Sequence, residues 1–147
     1  METLIPILAA AIRSGTPVLY AVLGELLTER AGVMNLGLEG VMLVGAFAGF
    51  SATRATGNPY IGLLMAFAAG CFIVLIHAFL TISMGTNQVV SGLALSLFGS
   101  GLSALLGRNY IGETISGINP VHLFFLGDIP LIGPIFFRHD ILVYLSY

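Results

Sequence analysis

One stretch near the N-terminus carries polar residues whose types and spacing could handle a polar solute. Glu29-Arg30-Ala31-Gly32-Val33-Met34-Asn35-Leu36-Gly37-Leu38-Glu39-Gly40 sets Asn35 and Glu39 four residues apart, on one face of a helix, among Gly32, Gly37 and Gly40. The surroundings are apolar, and polar side chains in such a setting are by default functional or paired. A carboxamide and a carboxylate could exchange hydrogen bonds with a solute crossing a membrane. Alternatively, Glu39 is neutral, or pairs with Arg13 or Arg30, and locks the fold. The clustered glycines permit a broken or re-entrant helix near 31–40, whose freed backbone groups would line a cavity. A second polar group, Asn87, Gln88 and Ser91, opens a later apolar run, where Asn87 also reads as a plain helix cap. The polar residues singled out by type and spacing are therefore Asn35, Glu39, Asn87, Gln88 and Ser91.

Catalysis has no comparable candidates. The five basic residues are all arginine, and without lysine there is no P-loop to reach the phosphates of ATP. The run Gly99-Ser-Gly-Leu-Ser-Ala104 matches a dinucleotide-binding pattern on paper, yet no strand precedes it and no acid follows at the ribose spacing. His77, His122 and His139 stand apart from one another and from any second metal ligand. His77, inside an apolar run, reads as an interhelical hydrogen-bonding residue. Cys71 reads as a small apolar side chain. No activated nucleophile, metal site or cofactor site is expected, and the chain is not expected to be an enzyme.

The elements that must position the polar residues follow from composition. Of 147 residues, 57% are hydrophobic and only 8% charged. With glycine added the apolar share is roughly 70%, against about 45–50% in soluble domains. Too few polar residues remain to coat a water-soluble core. A net charge of −2 without a basic cluster also excludes a nucleic-acid-binding surface. The solvent must be lipid, and the fold class is an all-α, polytopic transmembrane bundle.

A spanning helix needs about 20 mostly apolar residues. Spans are expected near 4–24, 33–53, 60–82 and 89–107, with another starting at 141 and stopping at the last residue, 147. The whole chain reads as one transmembrane domain, incomplete at its C-terminus. Gly57-Asn58-Pro59 and Gly85-Thr86-Asn87 mark two of the connections. Between residues 108 and 140, Pro120, Pro130 and Pro134 forbid a long helix, so this part, with its apolar centre at 123–126, reads as a structured loop. Arg13 and the Thr16-Pro17 pair leave two readings of the first run: one span, or an interfacial helix over 1–13 and a membrane helix over 17–30. With one span the positive-inside rule favours a cytoplasmic N-terminus; a first helix that does not cross, or a re-entrant 33–53, changes that inference, and the orientation stays open.

Lipid tails are as apolar as leucine, so helices in a bilayer associate through close approach of small residues. Gly45 and Gly49 form such a row in the second span, and Gly62, Ala66 and Gly70 another in the third. The fourth carries Gly92-Ser96-Ser100-Ala104 beside Gly99-Ser103-Gly107.

The stretch from Gly24 to Phe47, GELLTERAGVMNLGLEGVMLVGAF, resembles the first signature of the branched-chain amino acid/ribose class of ABC-transporter permeases. Asn87-Gln-Val-Val-Ser-Gly-Leu-Ala-Leu-Ser-Leu-Phe98 and Gly127-Asp-Ile-Pro-Leu-Ile-Gly-Pro134 are similar to its nucleoside (simple-sugar) branch. The resemblance implies an N-terminal portion of a multi-pass permease subunit in a bacterial inner membrane. That subunit would form part of a pathway for nucleosides, or for ribose or another simple sugar. Its partners would be a second permease subunit, an ATP-binding subunit that drives transport, and a substrate-binding lipoprotein. A contrasting expectation, carried by the early stop alone, is a nonfunctional truncated membrane protein.

Overall fold

The computed structural model describes residues 4–121 and 132–147, all of whose regular elements are helical. His122, the apolar centre at 123–126, Asp128 and Pro130 lie outside the described residues, as does most of the 127–134 motif. The elements are α1 (Leu4–Arg30), α2 (Leu38–Thr56), α3 (Pro59–Ala78), α4 (Gln88–Gly107), α5 (Ile132–Phe136) and α6 (Ile141–Leu145). A π-helical turn, Phe79–Ser83, prolongs α3, and a 3-10 turn, Arg108–Tyr110, follows α4. Among the described residues, three helical stretches are long and apolar enough to cross a membrane: Leu4–Arg30, Pro59–Ser83 and Gln88–Tyr110. Helix α2 carries Glu39 in its first turn and Arg54 in its last, and is not among them.

The helix ends follow local chemistry. Gly57, at φ 69°, closes α2 in the left-handed conformation that glycine adopts without steric cost. Asn58 then accepts a hydrogen bond from the Tyr60 N–H, with Pro59 in the first turn of α3. Asn87 caps α4 by accepting from the Val89 and Val90 N–H groups. Helix α1 runs unbroken through Pro17, so the two-helix alternative does not occur. Pro17 leaves the Arg13 carbonyl without its helical donor, while Thr16 Oγ1 donates to the Ile12 carbonyl at 3.0 Å one turn back, so Thr16 bonds its own helix and does not cap a new one.

The chain divides into two compact units, Met1–Gly24 with Ile118–Tyr147, and Glu25–Gly117. Within the first, Tyr20 Oη donates to the Leu142 carbonyl at 2.8 Å. Tyr144 Oη donates to the Val121 carbonyl at 2.9 Å and accepts from the His139 N–H at 3.2 Å. Asp140 caps α6.

In the second unit, α2 packs against both α3 and α4. The approaches are close enough to require small residues. A Cβ at Gly99 would lie 2.6 Å from the Cα of Gly40, and a Cβ at Gly40 would lie 2.7 Å from the Cα of Ser96. On the other side of α2, a Cβ at Gly62 would lie 2.7 Å from the Gly49 carbonyl oxygen and overlap Thr53. Side-chain burial is correspondingly thin, with Val44, Ile73 and Leu95 forming the core. Leu64, Phe67, Phe72 and Leu97 are each at least 65% exposed. Surface of that kind would aggregate in water, but lipid tails solvate it.

Candidate functional site

The chain leaves helical geometry between Arg30 and Leu38, and the polar side chains around that break form the candidate site. Two glycines make the break possible. Gly32 sits at φ +85°, where a side chain would be strained. Gly37 lies against α4, so that a Cβ there would come 2.8 Å from the Gly92 carbonyl oxygen.

Backbone groups freed from a helix at membrane depth must find partners within the protein. Here three side chains, one from each of three helices, supply them. Glu25 Oε1, on α1, accepts from the Asn35 N–H at 2.7 Å, while Thr28 Oγ1 lies 3.2 Å from Glu25 Oε2. Gln88, at the start of α4, uses both ends of its carboxamide. Its Oε1 accepts from the Met34 N–H at 2.8 Å and its Nε2 donates to the Gly32 carbonyl at 3.2 Å. His77, on α3, is 1% exposed. Its Nε2 lies 3.2 Å from the Met34 carbonyl oxygen and its Nδ1 3.1 Å from Ser91 Oγ on α4. A carbonyl oxygen only accepts, so Nε2 carries the hydrogen; in the neutral ring Nδ1 then accepts from the Ser91 hydroxyl.

The sequence candidates separate on this geometry. Asn35 is buried at 6% exposure, and its Oδ1 accepts from the Gly37 N–H at 2.9 Å, an Asx turn leading into α2. It precedes the helix, so the shared helical face expected for Asn35 and Glu39 does not form. Glu39 lies in the first turn of α2, exposed and without a hydrogen bond or ion pair within its unit among the described residues, so pairing with Arg30 does not occur. Gln88 and Ser91 reach the break, directly and through His77, whereas Asn87 is occupied as the cap of α4. Two hollows flank the site. Glu29, Gly32, Val33, Met34 and Gln88 surround one of about 370 Å³. Thr86, Asn87 and Ser91 line the other, an open and otherwise apolar groove of about 540 Å³ along Ile76, Val90 and Phe98.

The expected packing residues are distributed over both seams of α2. Gly45 and Gly49 face Ala66, Gly62 faces Gly49 and Thr53, and Gly70 lies opposite Val41. On α4, Gly92 meets the backbone of Leu36 and Gly37, and Ser96 meets Gly40. Ser100 turns its hydroxyl back to the Leu97 carbonyl, while Ser103 donates to the Leu43 carbonyl at 3.2 Å. The α4 seam thus passes from one small-residue row, Gly92 and Ser96, to the other, Gly99 and Ser103.

Sequence reasoning did not find Glu25 or the anchor at the far end of α2. Glu25 is separated by ten residues from its partner Asn35, a distance no helical period announces. At the far end Arg54 forms an ion pair with Glu113, with Arg54 NH2 3.0 Å from Glu113 Oε1. The Arg54 guanidinium also lies 5.1 Å from the centre of the Tyr110 ring, which touches Phe47 and Phe50.

No solved structure matches the chain. Among curated proteins it is 44% identical, over 95% of its length, to the "Putative glucose ABC transporter permease protein TsgC13" of Haloferax volcanii. It is 34% identical over 89% of its length to the guanosine ABC transporter permease protein NupQ of Bacillus subtilis. To the nucleoside ABC transporter permease protein NupC of Lactococcus lactis it is 33% identical over 93%. The chain spans 44%, 44% and 46% of the length of these three relatives, less than half of each. The model of the branched-chain amino acid transport system / permease component family matches residues 7–145, and the chain belongs to that family.

Proposed function

We propose that the chain forms part of the membrane-spanning permease subunit of an ATP-driven importer for nucleosides. The observation that carries this reading is the break at 31–37. A polar, internally satisfied interruption lies beside membrane-length helices, flanked by hollows of about 370 and 540 Å³. Breaks of this kind are tolerated in lipid where they are enclosed by protein or line a water-filled path. Asn35, Glu39, Asn87, Gln88 and Ser91 are the residues assigned to the pathway or to the elements that shape it. Glu39 is the one charged group among them, and among the described residues it has no hydrogen-bond or ion-pair partner within its unit, which leaves it available to a solute.

In this reading the chain performs no chemistry. An ATP-binding subunit supplies hydrolysis, a second permease subunit completes the pathway, and a substrate-binding lipoprotein delivers solute to it. The membrane is the bacterial inner membrane. Alternating access comes from partners that favour different packings of the bundle. Import of a simple sugar such as ribose is the second reading, favoured by the 44% identity to a protein named for glucose.

Uptake by the assembled transporter tests both readings. Labelled uridine should enter, excess ribose should compete weakly, and Glu39→Gln should depress uptake without reducing assembly. Strong competition by ribose or glucose would move the substrate to the sugars. Normal uptake by Glu39→Gln would remove Glu39 from the mechanism.

A further inference from the structure

We infer that His77 is a positioning residue for the transport pathway: it sets the shape of the 31–37 break without meeting the solute. The inference rests on the reading of that break as a pathway element.

Three observations support it. The imidazole is 1% exposed and lines neither flanking hollow, so a solute in those hollows does not touch it. Its two nitrogens are both committed, one to the Met34 carbonyl and one to Ser91 Oγ. The bond to Met34 acts on a residue held from its other side as well, because Gln88 accepts from the Met34 N–H at 2.8 Å. Met34 is therefore fixed at both faces of its peptide backbone by side chains of α3 and α4. Gly32, two residues earlier, has the backbone freedom to let the segment swing if either tie is lost.

The directions of the bonds specify which replacements can substitute. A glutamine at 77 offers an N–H for Met34 and an oxygen for Ser91, as the neutral imidazole does. A leucine offers neither and leaves the Met34 carbonyl unpaired. Ser91→Ala removes the hydroxyl that holds the far nitrogen, so the ring remains but its orientation loosens. A residue that served only to hold the fold would change the amount of assembled protein and little else.

The test uses the full transporter in the membranes of its own host. Cys71 is replaced by alanine, and Val33→Cys, beside the hollow, reports on the segment through its rate of reaction with a membrane-impermeant maleimide. Uptake is followed in parallel as KM and as Vmax per assembled copy. His77→Leu is expected to raise both the labelling rate and KM about tenfold, the scale set by loss of the hydrogen bond to the Met34 carbonyl. Assembly should stay within about twofold, and His77→Gln should return both readings to within about threefold of the parent on the same scale. Unchanged labelling and KM in His77→Leu would overturn the inference, as would losses that merely track the amount of protein. If His77→Leu fails to accumulate, Ser91→Ala must shift labelling in the same direction, and no shift there overturns the inference. Absence of uptake in the parent would count against the transport reading, whereas the labelling rates decide the role of His77 without reference to substrate.

Discussion

Gln88 grips the backbone of Met34 across a sequence separation of 54 residues, accepting its N–H at 2.8 Å while donating to the Gly32 carbonyl two residues earlier. One carboxamide thus replaces the two hydrogen bonds that a neighbouring stretch of backbone would supply, and it ties the break to the first turn of α4. Only a residue that both donates and accepts at that reach can do so.

Gln88→Glu keeps the acceptor and loses the donor, while Gln88→Leu loses both. The leucine variant should be destabilised by about 1–3 kcal/mol, at about 0.5–1.5 kcal/mol for each of its two hydrogen bonds, and the glutamate variant by less. Thermal unfolding of the purified protein in nanodiscs, followed by loss of the monodisperse peak, gives the ranking. Equal loss in both variants would mean that the Gly32 bond carries the effect.

The close crossing of α2 and α4 predicts a sharp contrast between two glycines of one helix. A Cβ at Gly99 meets the backbone of Gly40, whereas a Cβ at Gly101 meets nothing within 4 Å. Gly99→Ala should cost about 1–3 kcal/mol or more through overpacking. Gly101→Ala should gain up to about 1 kcal/mol through helix propensity. The same thermal assay reads both.

Much of this arrangement was legible before any coordinates. Asn58-Pro59 and Asn87 marked where α3 and α4 begin, because capping is a local rule. The break near 31–40 was legible from its glycines. What the sequence did not disclose was which polar residue serves which backbone group. Asn35 and Glu39 share a helical period only if the chain is helical there, and the Asx turn at Asn35 shows that it is not. Glu25 acts across helices through packing that no spacing encodes, and His77, legible as an interhelical hydrogen-bonding residue, finds partners at Met34 and Ser91 that the sequence did not name. Thr16 and Pro17 presented the opposite case, since strong capping chemistry was overridden by continuation of α1.

At the other end of α2, the Arg54–Glu113 pair is about half to one-third exposed, at 49% and 37% for the two side chains. Such a pair should contribute less than about 1 kcal/mol and weaken with salt. Tyr110 should matter more, since its ring meets Phe47, Phe50 and Arg54, with about 0.5–1.5 kcal/mol for each aromatic pair. Tyr110→Ala should therefore lower thermal stability more than Glu113→Gln, and only the effect of Glu113→Gln should fade at 1 M salt, where screening acts over about 3 Å.

Glu25 and Glu39 are two carboxylates with different predicted phenotypes. Glu25→Ala removes the acceptor for the Asn35 N–H and should cost about 1–3 kcal/mol of stability. Glu39→Gln touches no internal partner and should leave thermal stability within about 0.5 kcal/mol, as surface substitutions do. Its effect should appear in uptake alone. Measuring stability and uptake for both variants separates a residue that builds the site from one that meets the solute.

The most direct test of the transport account is to isolate the tagged protein from its own membranes and measure what accompanies it. The account predicts that an ATP-binding subunit containing a P-loop co-purifies, and that the complex hydrolyses ATP. Recovery of the chain without such a subunit and without ATPase activity would contradict it.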